Sequence, residues 1–206
     1  MKKNSVFLRA FEPEDYQLIN RWRNDFEVQK MTVGRFRYVS PEREKDWVKY
    51  QIEHNATDVY LAICLNDESK QMIGYTSINN IDYINRKAFM GGIVLAGDSH
   101  NSKNLTDAFL LIFDHVFVDM SLHRLEGDFL AEYKNAILMN KMLGWTIEGV
   151  ERDAVYKEQR YHDLVRISML DGEYFDLLNN GGFEDKALRR RMHDAMKELK
   201  ETKKED

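Results

Sequence analysis

Cysteine, proline and long apolar runs are all scarce in this sequence of 206 residues. The single cysteine, Cys64, excludes an internal disulfide framework and a zinc cluster built on cysteines. The two prolines, Pro13 and Pro41, both lie near the start, so no proline-rich linker divides the chain. The longest apolar run, residues 108–113, is far too short to cross a bilayer, and no stretch of signal-peptide length follows the first residues. We therefore expect a cytoplasmic protein with no membrane partner.

The sequence also lacks an excess of positive charge. Its 35 acidic and 30 basic residues leave a formal net charge of −5, whereas a nucleic-acid-binding surface needs clustered basic residues. The basic run at residues 189–191 lies among Asp185, Asp194 and Glu198, which is typical of a solvated helix face. The histidines show no metal-ligand spacing with carboxylates. The sequence thus predicts no nucleic-acid partner and no metal site.

Hydrophobic residues make up 43% of the chain, which is enough for a buried core, and their spacing predicts the order of elements. A strand near residues 5–11 precedes two helices that begin near Pro13 and Pro41, where proline and acidic residues favour helix starts. Alternating apolar residues between 59 and 95, interrupted by polar turns, predict a three-stranded antiparallel meander.

A strongly apolar helix is predicted next, from a capping box at residues 104–107 to about Met120. It joins the meander to a short strand at 124–130, and such a crossover predicts locally parallel pairing within a mixed sheet. A helix at 135–143, ended by Gly144, and a closing hairpin complete an α/β fold with helices on both faces of the sheet. A last helix at 184–201 carries an apolar stripe formed by Leu188, Met192, Ala195, Met196 and Leu199.

Several segments carry specific motifs. They are LRAFEPED at residues 8–15, WRN at 22–24, LHRLE at 122–126 with Ala131-Glu132 after it, and KMLGW at 141–145. These segments resemble the GNAT superfamily of N-acetyltransferases, and within it the RimJ/RimL-like branch that acts on ribosomal proteins and small amines. The resemblance implies a GNAT domain over residues 1–170 and leaves 171–206 as a C-terminal helical extension.

The resemblance also implies a binding site for acetyl-CoA, where two parallel strands of the sheet splay into a V. It places the strand edge that pairs with pantetheine at Ile93, Val94 and Leu95. The pyrophosphate would rest on backbone N–H groups at the start of the following helix, where the dipole favours an anion. That loop and helix start correspond to His100, Asn101, Ser102, Lys103, Asn104, Leu105 and Thr106.

Some positions depart from the family pattern. Lys103 and Leu105 occupy the two glycine positions of the loop, where glycine permits close approach of a phosphate. Tyr133 stands where relatives often carry an asparagine that holds the cofactor, and Asn135 is a substitute two residues on. Asn140 stands where many relatives carry the tyrosine that protonates the leaving thiolate.

Acetyl transfer needs a neutral amine, a positioned thioester and a proton donor for the thiolate. Glu132, at the end of the strand expected to splay, is the candidate base, with a structural carboxylate as the alternative. Phe89 stands where many relatives carry a carboxylate on the third meander strand. Asn140 is a candidate to donate a hydrogen bond to the thiolate, and Tyr133 and Tyr75 are candidates to protonate it. The backbone N–H near Val94 is a candidate to polarise the thioester carbonyl.

Two functions remain open from the sequence. The first is an acetyl-CoA-dependent N-acetyltransferase whose acceptor is a primary amine, namely a protein N-terminus, a polyamine or an amino sugar. The second is a catalytically inactive GNAT-fold module that binds a ligand or a protein. The altered loop favours the second function, and the intact block from His123 to Gly149 favours the first. The stripe of the last helix must be buried on its own domain or on a second copy, which makes a homodimer plausible.

Overall fold

The computed structural model describes residues 4–30, 32–95 and 101–202. Contacts within the chain divide it into two units, residues 1–122 and 123–206. In the first unit, an antiparallel sheet contains in order β1 (Val6–Ala10), β2 (Val59–Leu65), β3 (Met72–Asp82) and β4 (Lys87–Leu95). The predicted meander is present as β2, β3 and β4. No helix of the described residues is long and apolar enough to span a membrane.

Two helices of the first unit begin where the sequence predicts them. A 3₁₀ turn, Pro13–Asp15, leads into α1 (Tyr16–Arg23), and the short α2 (Phe26–Lys30) follows it. Helix α3 (Pro41–Glu53) starts with Pro41 at its first position, and Ser40 Oγ caps it by accepting a hydrogen bond from Arg43 N. The buried side chains that join these helices to β2 are Ile19, Trp22, Val48, Ala62 and Cys64.

Helix α4 (Ser102–Asp114) begins earlier than predicted and continues as a π-helical turn, His115–Asp119. Its N-cap is Asn101, whose side-chain oxygen accepts a hydrogen bond of 2.9 Å from Asn104 N. The predicted capping box at residues 104–107 is therefore wrong. Asp107 instead accepts hydrogen bonds from the backbone and side chain of Ser5, which fastens α4 to the start of β1.

The second unit contains three antiparallel strands, in the order β5 (Arg124–Leu130), β7 (Arg160–Leu170) and β6 (Thr146–Lys157). Helix α5 (Lys134–Leu143) precedes β6 and ends at Gly144, which has the left-handed φ of 92° that the sequence predicts for a terminal glycine. The splay predicted between β4 and β5 stays a prediction.

Two further helices follow β7. The sequence did not predict α6 (Asp171–Asn179), which follows β7 directly without a loop. The Glu173 carboxylate accepts a hydrogen bond from Leu170 N at the start of this helix. The predicted last helix is present as α7 (Asp185–Thr202), and it packs on α5. Leu188 and Ala195 of its stripe are buried, whereas Met196 is 45% exposed.

Arginine side-chain bonds reinforce the packing of α7. Arg191 Nε donates to Met142 O at 2.7 Å, and its Nη2 donates to Gly182 O at 2.6 Å. Lys141 of α5 also pairs with Glu198 of α7. The last helix thus belongs to the second unit, while the division of the chain at residue 170 stays a prediction.

Truncation of Leu188 should measure the contribution of this packing. We expect Leu188→Ala to lower the free energy of unfolding by about 2–3 kcal/mol, because the change leaves a cavity at a buried position. The matched control is Leu178→Ala, since Leu178 is 46% exposed and should cost less than about 0.5 kcal/mol. Urea denaturation of both variants provides the comparison, and equal losses would contradict the packing of α7.

Candidate functional site

A cavity of about 390 Å³ opens in the first unit beside the facing parts of β3 and β4. Its size lies in the range of small-molecule binding sites. The residues that line it are Arg23, Gln29, Thr32, Gly34, Arg35, Arg37, Val39, Tyr60, Tyr75, Thr76, Ser77, Asn79, Gly91, Gly92 and Val94. The lining thus combines strand residues with residues of the segment after α2.

A β-bulge in β4 shapes the strand side of the cavity. Thr76 pairs with Ile93 but Ile78 pairs with Met90, so β4 carries one more residue than β3 across this step. The extra length falls at Gly91 and Gly92, and Gly92 has a left-handed φ of 82°. Thr76 Oγ1 donates a hydrogen bond of 2.7 Å to Gly92 O, which fixes the bulge against β3.

The opposite side of the cavity is held by the WRN motif at the end of α1. Asn24 exchanges two hydrogen bonds with the backbone of Val39, accepting from its N–H at 2.9 Å and donating to its carbonyl at 2.8 Å. Asn20 Nδ2 donates to the same carbonyl at 2.8 Å. These bonds anchor the segment that carries Arg35 and Arg37 along the cavity.

Arg23, the central residue of that motif, is fixed by two contacts. Its guanidinium lies 3.8 Å from the ring centroid of Trp47, and its Nη1 lies 3.2 Å from Glu44 Oε1. The side chain of Glu44 is fully buried, and burial raises the pKa of its carboxyl group although the charge of Arg23 opposes that shift. Arg23 is therefore held in one place at the cavity wall.

The predicted pantetheine edge adjoins the cavity. Ile93, Val94 and Leu95 are the last residues of β4, where Val94 pairs with Tyr75 and also lines the cavity. The structure thus brings this predicted strand edge next to the bulge.

The predicted pyrophosphate site lies at the start of α4, although His100 is outside the described residues. Asn101 caps Asn104 N, and Ser102 and Lys103 supply the first N–H groups of the helix, which have no partner within it. Such a helix start suits an anion such as a pyrophosphate. Thr106 lies in the second turn of α4 and is half-buried.

The two residues at the glycine positions of this loop do not crowd the helix start. Leu105 packs against the apolar cluster that contains Val6, Ile63 and Leu95, so its side chain belongs to the core. Lys103 Nζ donates to Asp107 Oδ2 at 2.8 Å. Burial alone would raise the pKa of Asp107, but hydrogen bonds from Lys103 and Ser5 outweigh it and hold that pKa below its usual value. The residues present therefore fit the pyrophosphate of a CoA.

Glu132, the candidate base, lies in the second unit with both oxygens in hydrogen bonds. Oε1 accepts from Arg160 Nη2 at 3.0 Å, and Oε2 lies 2.8 Å from Nδ1 of the buried His162. His162 Nε2 lies 2.9 Å from Lys157 O, so both ring nitrogens lie within hydrogen-bond distance of an oxygen. These contacts favour the structural alternative for Glu132, and its catalytic role stays a prediction.

The other candidates of the second unit lie on or beside α5. Asn140 is buried, and its Nδ2 donates a hydrogen bond of 2.9 Å to Ala136 O within the same helix. Tyr133 precedes the first turn of α5, and burial raises the pKa of its hydroxyl, with Glu132 adding to the shift. Asn135 is exposed in the first turn. The roles predicted for these three residues stay predictions.

Comparison with known proteins decides the family. The acetyltransferase (GNAT) domain family matches residues 5–145, which is more than half of the chain. The chain belongs to the GNAT acetyltransferase family. It is accordingly an N-acetyltransferase with acetyl-CoA as its co-substrate, and the altered loop has not removed the chain from the family.

Two curated relatives and one solved structure illustrate the family. The YdaF protein of Bacillus subtilis, provisionally assigned as a ribosomal N-acetyltransferase, is 27% identical over 63% of this chain and 67% of its own length. Spermidine N(1)-acetyltransferase of Vibrio cholerae is 22% identical over 84% of this chain and 97% of its own length. A crystal structure of the Vibrio spermidine N-acetyltransferase with CoA and spermine has a TM-score of 0.76, covering 83% of this chain and 98% of that one at 22% identity. The predicted mixed α/β GNAT fold is confirmed.

Most residues of the cavity lie outside the motifs of the sequence. Arg35, Arg37, Ser77 and Asn79 fall in no motif, and only their places along the cavity show that they act together. One signal was available, since a Gly91-Gly92 pair inside a strand pattern indicates a bulge or a close backbone approach. Among the described residues, no group of three or more His, Cys, Asp and Glu side chains is placed to hold a metal ion.

Replacement of Glu132 should separate its two interpretations. We expect Glu132→Gln to lower the free energy of unfolding by about 1–2 kcal/mol, because it weakens charged hydrogen bonds to Arg160 and His162, while kcat changes little. The control is Glu158→Gln, an exposed change in the turn between β6 and β7. It should alter neither the free energy of unfolding nor kcat. A fall in kcat of about 100-fold with unchanged stability would instead assign Glu132 as the base.

Proposed function

We propose that this protein transfers the acetyl group of acetyl-CoA to a primary amine held in the cavity of the first unit. One observation carries the proposal. Val94 belongs both to the strand edge predicted to pair with pantetheine and to the lining of the cavity. An acetyl group carried along that edge would reach the bulge at Gly91 and Gly92, where an amine in the cavity can attack it.

The cavity itself supplies hydrogen-bonding groups but no base. Its described lining contains neither a carboxylate nor a histidine. Burial raises the pKa of Tyr60, so at neutral pH its hydroxyl group stays protonated and acts only as a donor or acceptor of hydrogen bonds. The amine must therefore arrive neutral or lose its proton to water, and the rate of transfer should rise as the amine deprotonates.

The chemical identity of the acceptor amine is a separate question from the type of reaction. A protein N-terminus, a polyamine and an amino sugar are the predicted alternatives, and the names of the Bacillus and Vibrio relatives support the first two. We also propose that the protein belongs to the RimJ/RimL-like branch and is located in the cytoplasm. We propose that it self-associates, because one Vibrio spermidine N-acetyltransferase structure is dodecameric.

Acetyl-CoA binding tests the cofactor site directly. A ligand that binds only the native state at about 100 times its Kd adds about 2.7 kcal/mol of stability, so acetyl-CoA should raise the Tm. Lys103→Glu should abolish this rise through charge repulsion at the start of α4, whereas Lys103→Gly should preserve it. Lys49→Glu is the matched control, because Lys49 is also an exposed helix lysine that pairs with an acid four residues on. In this binding test each variant is compared with its own Tm in the absence of ligand, because replacing Lys103 also removes a bond to Asp107.

Turnover then tests the proposed reaction. With a panel of amines, the wild-type protein should release free CoA. The absence of both a Tm shift and a calorimetric signal at millimolar acetyl-CoA would contradict the proposal. Binding without turnover of any amine would support the inactive binding module instead.

A further inference from the structure

The charges along the cavity are of one sign. Arg23, Arg35 and Arg37 line it, and its described lining contains no aspartate or glutamate. Glu44 pairs with Arg23 and offsets the charge of that arginine. Arg37 forms no ion pair within the described part of the chain and is exposed.

Such a wall selects against a purely cationic acceptor. A protonated polyamine carries several positive groups and no negative one, so the arginines repel it in a partly desolvated cavity. Guanidinium groups bind carboxylates and phosphates through paired N–H donors, and two arginines two residues apart that line the same cavity can share one anion.

The strand side of the cavity has the opposite character. Asn79 Oδ1 is buried and accepts no hydrogen bond from the described residues, while Asn79 Nδ2 donates to Ser77 Oγ at 3.1 Å. A buried acceptor without a donor is costly, and an amine N–H would satisfy it. Both side chains lie against Gly91, at the bulge where acetyl transfer is proposed.

We infer that the acceptor is a small amine that also carries an anionic group, a carboxylate or a phosphate. The inference rests on the proposed function and specifies its substrate class. The amine lies at the bulge with Asn79 and Ser77, and the anionic group lies at Arg35 and Arg37. The hydrogen bonds of Asn20 and Asn24 to Val39 anchor the end of the segment that carries the two arginines.

Matched pairs of amines test this inference. L-lysine and cadaverine differ only in a carboxylate, and glucosamine 6-phosphate and glucosamine differ only in a phosphate. Equilibrium binding to the CoA-saturated wild-type protein, in which no transfer can occur, is measured by calorimetry. Release of free CoA from acetyl-CoA is followed separately with the same four amines and with spermidine. In at least one pair, the anionic member should bind about tenfold more tightly and have a correspondingly higher kcat/KM. The pair that shows the difference identifies the anion as carboxylate or phosphate.

Variants of the arginine wall complete the test. Arg35→Gln/Arg37→Gln should remove the advantage of the anionic amine, because it weakens binding of the anionic group and relieves the repulsion of the member that carries only positive charge. Arg21→Gln is the control, since Arg21 is an exposed arginine of α1 outside the cavity lining, and it should keep the advantage. Both substituted arginines are exposed, and the Tm of each variant confirms its fold.

Several results would overturn the inference. They are equal binding within both pairs, tighter binding of cadaverine or spermidine, no binding of either anionic amine at millimolar concentration, or an advantage that survives in the double variant. Failure of the proposed function looks different, because no amine would then release CoA while the binding measurements still report on the arginine wall.

Discussion

At Gly91 the backbone of β4 passes so close to β3 that a β-carbon would lie 2.1 Å from Ser77 Oγ and 2.8 Å from Asn79 Nδ2. The next residue, Gly92, needs a left-handed φ of 82°, which a β-carbon disfavours by about 1–2 kcal/mol. Only a glycine pair satisfies both demands at once. The resulting bulge changes the pairing of β4 with β3 and leaves Val94, Ser77 and Asn79 on one cavity. The proposed acetyl transfer depends on this local geometry.

The opposite wall depends on the WRN motif, whose three residues have separate tasks. Trp22 is buried and stacks on Tyr75, Arg23 lines the cavity, and Asn24 fastens Val39. The pairing of Arg23 with the buried Glu44 holds this arginine at the wall. Loss of the arginine would be costly, because it would leave a buried carboxylate without its cation. A single helix end thus joins the core of the first unit to the cationic side of the site.

Periodicity and capping residues predicted most elements correctly because β2, β3, β4 and α3 are long or strongly marked. Short elements escaped, since α2 has only five residues and α6 follows β7 without a loop. The start of α4 was misplaced because several polar residues in succession could cap it, and hydrogen bonding selected Asn101. The cavity could not be derived from sequence, since Arg35 and Asn79 come together only through the fold. The family motifs indicated the cofactor edge but carried no information on the acceptor.

A methyl group at Gly91 tests the central claim most directly, because it intrudes between Ser77 and Asn79 without touching α4. Gly91→Ala should be compared with the wild-type protein for the Tm shift caused by acetyl-CoA and for kcat/KM with the amine that the wild type uses fastest. The bulge account predicts an acetyl-CoA shift close to that of the wild type and a loss of about tenfold or more in kcat/KM, since small displacements in a site are costly to transfer. Wild-type kcat/KM in this variant would contradict the claim that the amine is acetylated at the bulge.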